Sequence, residues 1–186
     1  TLSMALTPIG FWLLEHVLEP HWCEREERKF DSFEDMPEHE VIIAGFGRVG
    51  QIIARVLRVH RIQFVALESS ARQVDFVRRF GNQVFYGKLD NLALLKAAGA
   101  DKAKLLVLAI DDVEESVRTA QIIRHYFPKL PIYARSRDRM HAYRLMDLGI
   151  SVIHRETLGS SLEMARDVLI NIGFNRVNAE LSVKRF

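Results

Sequence analysis

The chain has 186 residues, of which 48% are apolar and 27% charged, and its formal net charge is +2. That length suffices for one domain with a sizeable core plus an added segment, and so small a net charge demands no nucleic acid as partner. The single cysteine, Cys23, excludes an internal disulfide framework and suits a reducing compartment.

The chain opens with "TLSMALTPIGFWLLEHVLEPHW", without an initiator Met, and reads as a piece of something longer. Residues Thr1 to Leu14 carry no charge, and Trp12 and Trp22 lie near the end of the segment. Fourteen uncharged residues are too few to span a bilayer, which needs about 20. A basic start and a small-residue cleavage site, the marks of a signal peptide, are lacking. Two readings stand for residues 1–22. One is the last turns of a membrane helix with interfacial tryptophans; the other is an apolar helix packed on the domain. Residues 24–40 hold eight acids and three bases, a net of −5 against +7 for the rest. With Pro37 among them, residues 23–40 read as an acidic linker.

From Val41 the pattern is regular. Short apolar runs predict buried parallel strands at Val41–Ala44, Phe64–Leu67, Val84–Tyr86, Leu105–Ile110, Ile132–Ala134 and Ser151–Ile153. Helical spacing separates them, so the fold class is α/β, a Rossmann-like doubly wound parallel sheet over residues 41–156. In the first helix Val49, Ile52, Ile53, Val56 and Leu57 form the expected buried stripe. Arg48, Gln51 and Arg55 occupy the other face. The last helix, Thr157 to Gly173, spaces Leu158, Leu162, Ala165, Leu169 and Ile172 as 4-3-4-3. That is a coiled-coil kind of seam, although packing on the protein's own sheet gives the same spacing. Residues 157–186 are read as this helix, a dimerisation element, and a tail.

"HEVIIAGFGRVGQ", residues 39–51, carries the principal motif. G-x-G-x-x-G falls at Gly45, Gly47 and Gly50, directly after a strand and at the start of an amphipathic helix. Glu68 follows Gly50 by 18 residues at the end of the second strand. Gly45 permits the tight turn, Gly47 lets backbone approach a phosphate, and Gly50 lets helix and strand pack. The helix N-terminus offers N–H groups and partial positive charge to an anion. Glu68 is placed to accept ribose hydroxyls and disfavours a 2′-phosphate. An adenine nucleotide (AMP, NAD or NADH) is therefore expected. The candidate contacts are Gly45, Phe46, Gly47, Arg48, Val49, Gly50, Glu68 and Ser69, with Asp90, Ile110 and Asp111 from the ends of later strands.

Chemistry is harder to find. About thirty residues follow the sixth strand, too few for the substrate domain of a dehydrogenase, and no His/Asp or Tyr/Lys pairing has motif spacing. A nicotinamide-dependent oxidoreductase domain is the alternative, and no metal site is expected. Asp111 with Glu114, or Asp112 with Glu115, is read first as an acidic helix cap and only second as catalytic. Arg135, emerging from a strand end, is the arginine of "YARSRDRMHAYR" expected to face the cleft.

"VIIAGFGRVGQ", "VFYGKLDNLALLKAAGA", "LLVLAIDD", "YARSRD" and "HRETL", in this order, resemble the regulatory KTN or RCK nucleotide-binding domain of the Kef potassium efflux systems. The likeness runs from Val41 to about Gly173. The opening segment is similar to the cytoplasmic end of that family's last transmembrane helix, which favours the membrane reading. The resemblance implies a glutathione-gated potassium/proton antiporter at the bacterial inner membrane, with this domain on the cytoplasmic face. It implies a homodimer acting on the membrane transport domain of the same chain, an ancillary regulatory protein and no nucleic acid. It implies glutathione contacts at Arg55, Phe80 and Arg155, since guanidinium groups grip carboxylates with paired hydrogen bonds. One departure stands out. Where the family has Gly-Asp-Ala-Thr, this sequence has Gly87, Lys88, Leu89 and Asp90, and Asp90 also reads as a cap of the next helix.

Overall fold

The computed structural model describes residues 39–79 and 84–185. Six strands alternate with helices: β1 Val41–Ala44, α1 Arg48–Val59, β2 Phe64–Glu68, α2 Ala71–Arg78, β3 Phe85–Tyr86, α3 Leu92–Ala97, β4 Leu105–Leu108, α4 Val113–Tyr126, β5 Ile132–Ser136, α5 Arg139–Asp147 and β6 Val152–Arg155. Two more helices follow, α6 Leu158–Asn171 and α7 Arg176–Arg185. The expected membrane-helix end, most of the acidic linker and Phe80 lie outside the described residues. Among the described residues, no helix is long and apolar enough to cross a membrane.

All strand pairs are parallel and the order is β3-β2-β1-β4-β5-β6. The doubly wound sheet of the sequence reading is thus present. Its order reverses between β1 and β4, so the carboxyl ends of those strands open a crevice where such folds take ligands. Side chains alternate across the sheet and give it two cores. Ile42 and Ala44 of β1 join Leu106, Leu108, Leu94, Ile123 and Leu145 on one face. Val41 and Ile43 join Val107, Ala54, Val74 and Val77 on the other, against α1 and α2.

The strands depart from the predicted bounds where the site is built. β4 ends at Leu108, two residues before the predicted end. Ala109 still donates to Ala44 O at 2.7 Å, and the backbone there lies against Gly45. β2 runs one residue further, to Glu68, and β5 runs through Arg135 to Ser136.

Two helices differ more. The predicted stripe of α1 is split. Val49, Ile53 and Leu57 pack on the second core, whereas Ile52, Val56 and Val59 are 62%, 54% and 75% exposed. The residues expected to be a tail after the last helix form α7. Gly173, at φ +106°, turns the chain there as few other residues could, and Asn175 Oδ1 accepts from Asn178 N at 2.7 Å to start the new helix. α6 packs on α7 and on β6. Leu162 and Leu169 of the predicted seam are therefore half-buried within the chain, while Met164, Val168 and Ile172 form a more exposed line.

Candidate functional site

The three glycines at the end of β1 do different work. Gly45 has φ +94°, and a Cβ there would lie 2.7 Å from the backbone of Ala109 and Ile110. A Cβ at Gly50 would lie 2.2 Å from Gly45 O, so α1 packs against the turn only without one. Gly47 is different. Its φ is −73°, and among the described residues other than its chain neighbours the nearest atom to an added Cβ is Asp111 Oδ2 at 3.8 Å. The absence of a side chain at Gly47 therefore leaves open space beside the helix start. Gly47 is the N-cap of α1 and supplies no side-chain cap, and the first turn contains no acid. An uncapped helix start with backbone N–H groups and an open approach suits an anion.

Phe46 contributes backbone alone, because its ring is 1% exposed and belongs to the core. Its N–H donates to Glu68 Oε2 at 2.8 Å, and Ser70 N–H donates to Glu68 Oε1 at 2.9 Å. Glu68 is 8% exposed and ties the end of β2 to the glycine turn. Each carboxylate oxygen has a second lone pair, so acceptor capacity remains for a hydroxyl. Gln51 and Gln73 both donate to Phe46 O, at 3.1 and 3.4 Å. Gln51, on the face opposite the apolar stripe, thus braces the turn. Ser69 Oγ donates to Glu115 Oε2 at 3.1 Å. Burial raises the Glu115 carboxyl above its ordinary value, against the lowering effect of that hydrogen bond.

The acidic pair after β4 divides its tasks. Asp112 caps α4, accepting from Glu115 N–H at 2.7 Å. Asp111 does not cap; it pairs with Arg135. Arg135, expected to face the cleft, is 7% exposed near the end of β5 and also pairs with Glu156. It further donates to Ile110 O at 3.4 Å. Burial pulls the guanidinium down, but the hydrogen bonds and charges of Glu156 and Asp111 outweigh it and hold its pKa above the ordinary value. Glu156, absent from the candidates read in the sequence, bonds Arg48 Nη2 at 3.1 Å through its other oxygen. Its position just past the end of β6 was the available signal.

Asp90 is not the cap of α3 that the sequence allowed. Asn91 Oδ1 takes that role, accepting from Ala93 N–H at 2.8 Å, and Asp90 pairs with Arg118 at 3.2 Å. Arg55 is exposed on α1 and Arg155 half-buried at the end of β6. Among the described residues, no group of three or more His, Cys, Asp or Glu side chains is placed to hold a metal ion. His141 is 1% exposed, with Nε2 3.1 Å from Ser116 Oγ and Nδ1 accepting from Arg137 N–H at 3.2 Å.

A Rossmann-type domain with an anion-ready glycine turn is the class these features define. Residues 41–156 match the TrkA-N domain, and the chain belongs to that family. Its fold and sequence match the Kef C-terminal domain of Shewanella denitrificans in its AMP-bound form, with 37% identity and a TM-score of 0.70 over 78% of this chain and 89% of that one. The regulatory domain is thus of the Kef, KTN/RCK type. The TrkA-N domain of the inner membrane protein ybaL from Escherichia coli is 26% identical, with a TM-score of 0.60 over 73% of this chain and 96% of that one. The GsuK channel bound to NAD shares the fold, with 21% identity and a TM-score of 0.62 over 83% of this chain and 28% of that one.

Proposed function

We propose that the chain is a ligand-sensing regulatory domain of a potassium/proton antiporter. It binds an adenine nucleotide at the glycine turn and glutathione, or a glutathione–electrophile adduct, at a second site. The observation that carries the nucleotide half is the open, uncapped helix start at Gly47, where an added Cβ would meet, among the described residues other than its chain neighbours, no atom closer than 3.8 Å. The phosphate is held by backbone N–H groups between Gly47 and Gly50, and the ribose by Glu68. Likeness to a Kef domain whose structure contains AMP supports the same ligand class.

The glutathione half rests on the family resemblance, with Arg55, Phe80 and Arg155 as its contacts. The domain forms a homodimer on the cytoplasmic face of a bacterial inner membrane, where it acts on a transport domain of the same chain. It is a sensor rather than an enzyme, a reading supported by the match of residues 41–156 to the TrkA-N domain and by the likeness to the Kef C-terminal domain. Mass spectrometry of small molecules released from the purified, denatured protein tests the core of this reading. Recovery of AMP, NAD or NADH in stoichiometric amount is expected. Failure of the protein to carry or bind any of the three removes it.

A further inference from the structure

Behind the glycine turn lies a second tier of charge. Glu156 serves two arginines of unequal freedom. One oxygen pairs with Arg135, which is enclosed and also pairs with Asp111. The other meets Arg48 Nη2 at 3.1 Å. Detaching Arg135 would leave buried charge short of partners, which is strongly unfavourable. Arg48 is 79% exposed, and an exposed ion pair is a weak tether. Arg48 is also the first residue of α1, adjoining the open backbone of Gly47.

We infer that Arg48 is shared between Glu156 and the nucleotide phosphate, so that filling the glycine turn changes the charge felt at the junction of β6 and α6. This inference rests on the nucleotide reading above. A phosphate offers a guanidinium more charge and more acceptor oxygens than a carboxylate already satisfied by Arg135. Once Arg48 turns to the phosphate, Glu156 retains Arg135 and loses its exposed counter-charge. Glu156 stands between Arg155, the last residue of β6, and Thr157, the N-cap of α6. Its N–H donates to Ser136 O at 3.0 Å, so the backbone at this junction is pinned to β5. The arginine switch thus reaches the root of the α6–α7 pair without a large movement of the sheet.

Isothermal titration of AMP into four proteins tests the idea: unmodified, Arg48→Ala, Glu156→Gln and the double variant. Glu156→Gln is expected to tighten AMP binding about two- to fivefold, the scale of one exposed ion pair. In the Arg48→Ala background the same change is expected to do nothing. Equal tightening in both backgrounds would mean plain repulsion between Glu156 and phosphate, and would overturn the inference. So would no change, or weaker binding, in the single variant. Absence of AMP binding by the unmodified protein would remove the nucleotide reading and this inference with it. A second measurement does not depend on Glu156→Gln folding. Hydrogen exchange at residues 152–161 is expected to respond to saturating AMP in the unmodified protein and not in Arg48→Ala. A response that survives in Arg48→Ala overturns the inference.

Discussion

Gly47 and Gly50 are both glycine for different physical reasons, and substitution separates them. Gly47→Asp meets no backbone clash at an ordinary φ of −73°, so the unliganded melting temperature is expected to change little. It places charge where the phosphate belongs, so the rise in melting temperature with added AMP is expected to vanish. Gly50→Ala does the reverse, forcing α1 away from Gly45 O at a cost of about 1–3 kcal/mol, typical of overpacking. Urea denaturation measures that loss, and an unchanged midpoint would contradict the close approach. His141 supplies a pH prediction. Burial lowers its pKa from the ordinary 6.5, as it does for His39. The folded protein therefore favours the neutral ring, and that stability is complete above about pH 6.5 and is lost as pH falls through the depressed folded value. Midpoints of urea unfolding are expected to fall below pH 6.5, at up to about 1.4 kcal/mol per pH unit per histidine. His141→Gln should flatten the dependence in part; an undiminished slope would place the titration elsewhere. Glu68 was legible because it follows a known motif at a known interval. Glu156 was not, since it meets Arg135 and Arg48 across three elements and has no local spacing with either.

At the scale of elements, sequence periodicity identified which helices are amphipathic but not how wide a face each one buries. The spacing of α1 matched a five-residue stripe, yet only Val49, Ile53 and Leu57 pack on this chain's core. Ile52 and Val56 lie on the margin of the same stripe and remain exposed. Nothing in the spacing distinguishes core contact from a face left open. The seam of α6 posed the same question, and α7, hidden from a reading that stopped at Gly173, takes up part of it. These divisions give opposite expectations for charge substitutions. Leu162→Asp is expected to destabilise the fold, because Leu162 is half-buried within the chain. Val168→Asp with Met164→Asp, at positions 54% and 70% exposed, is expected to leave intrinsic stability within about 0.5 kcal/mol and to dissociate the proposed dimer. Sedimentation at micromolar concentration checks both claims. A monomer before substitution removes the dimer, and a folded dimer after Val168→Asp with Met164→Asp moves the interface off this face.

At the scale of the whole molecule, a parallel sheet ordered 3-2-1-4-5-6 gathers the ends of β1, β2, β4, β5 and β6 along one edge. Residues far apart in sequence are therefore brought together at that edge, where the proposed ligands would meet them. Arg55 shares α1 with Arg48, and Arg155 precedes Glu156, the residue that pairs with Arg48 beside the proposed nucleotide site. Glutathione has two carboxylates and one ammonium, so it is net negative at neutral pH and suits guanidinium contacts. Removing one such contact costs roughly 1.5–3 kcal/mol, or about tenfold to a hundredfold in affinity. Arg55→Ala and Arg155→Ala are each expected to weaken glutathione binding on that scale and to leave AMP affinity intact. Titrating both ligands into the same nucleotide-loaded protein separates the two effects. For gating, glutathione and an S-conjugate must differ in their preference between two arrangements of the domain, because a ligand shifts an equilibrium only by differential affinity. A dimeric, nucleotide-loaded protein extended beyond Phe186 that binds neither glutathione nor its conjugates would sink the sensing mechanism. Hydride transfer from NADH at a useful rate by the same protein would favour an oxidoreductase instead.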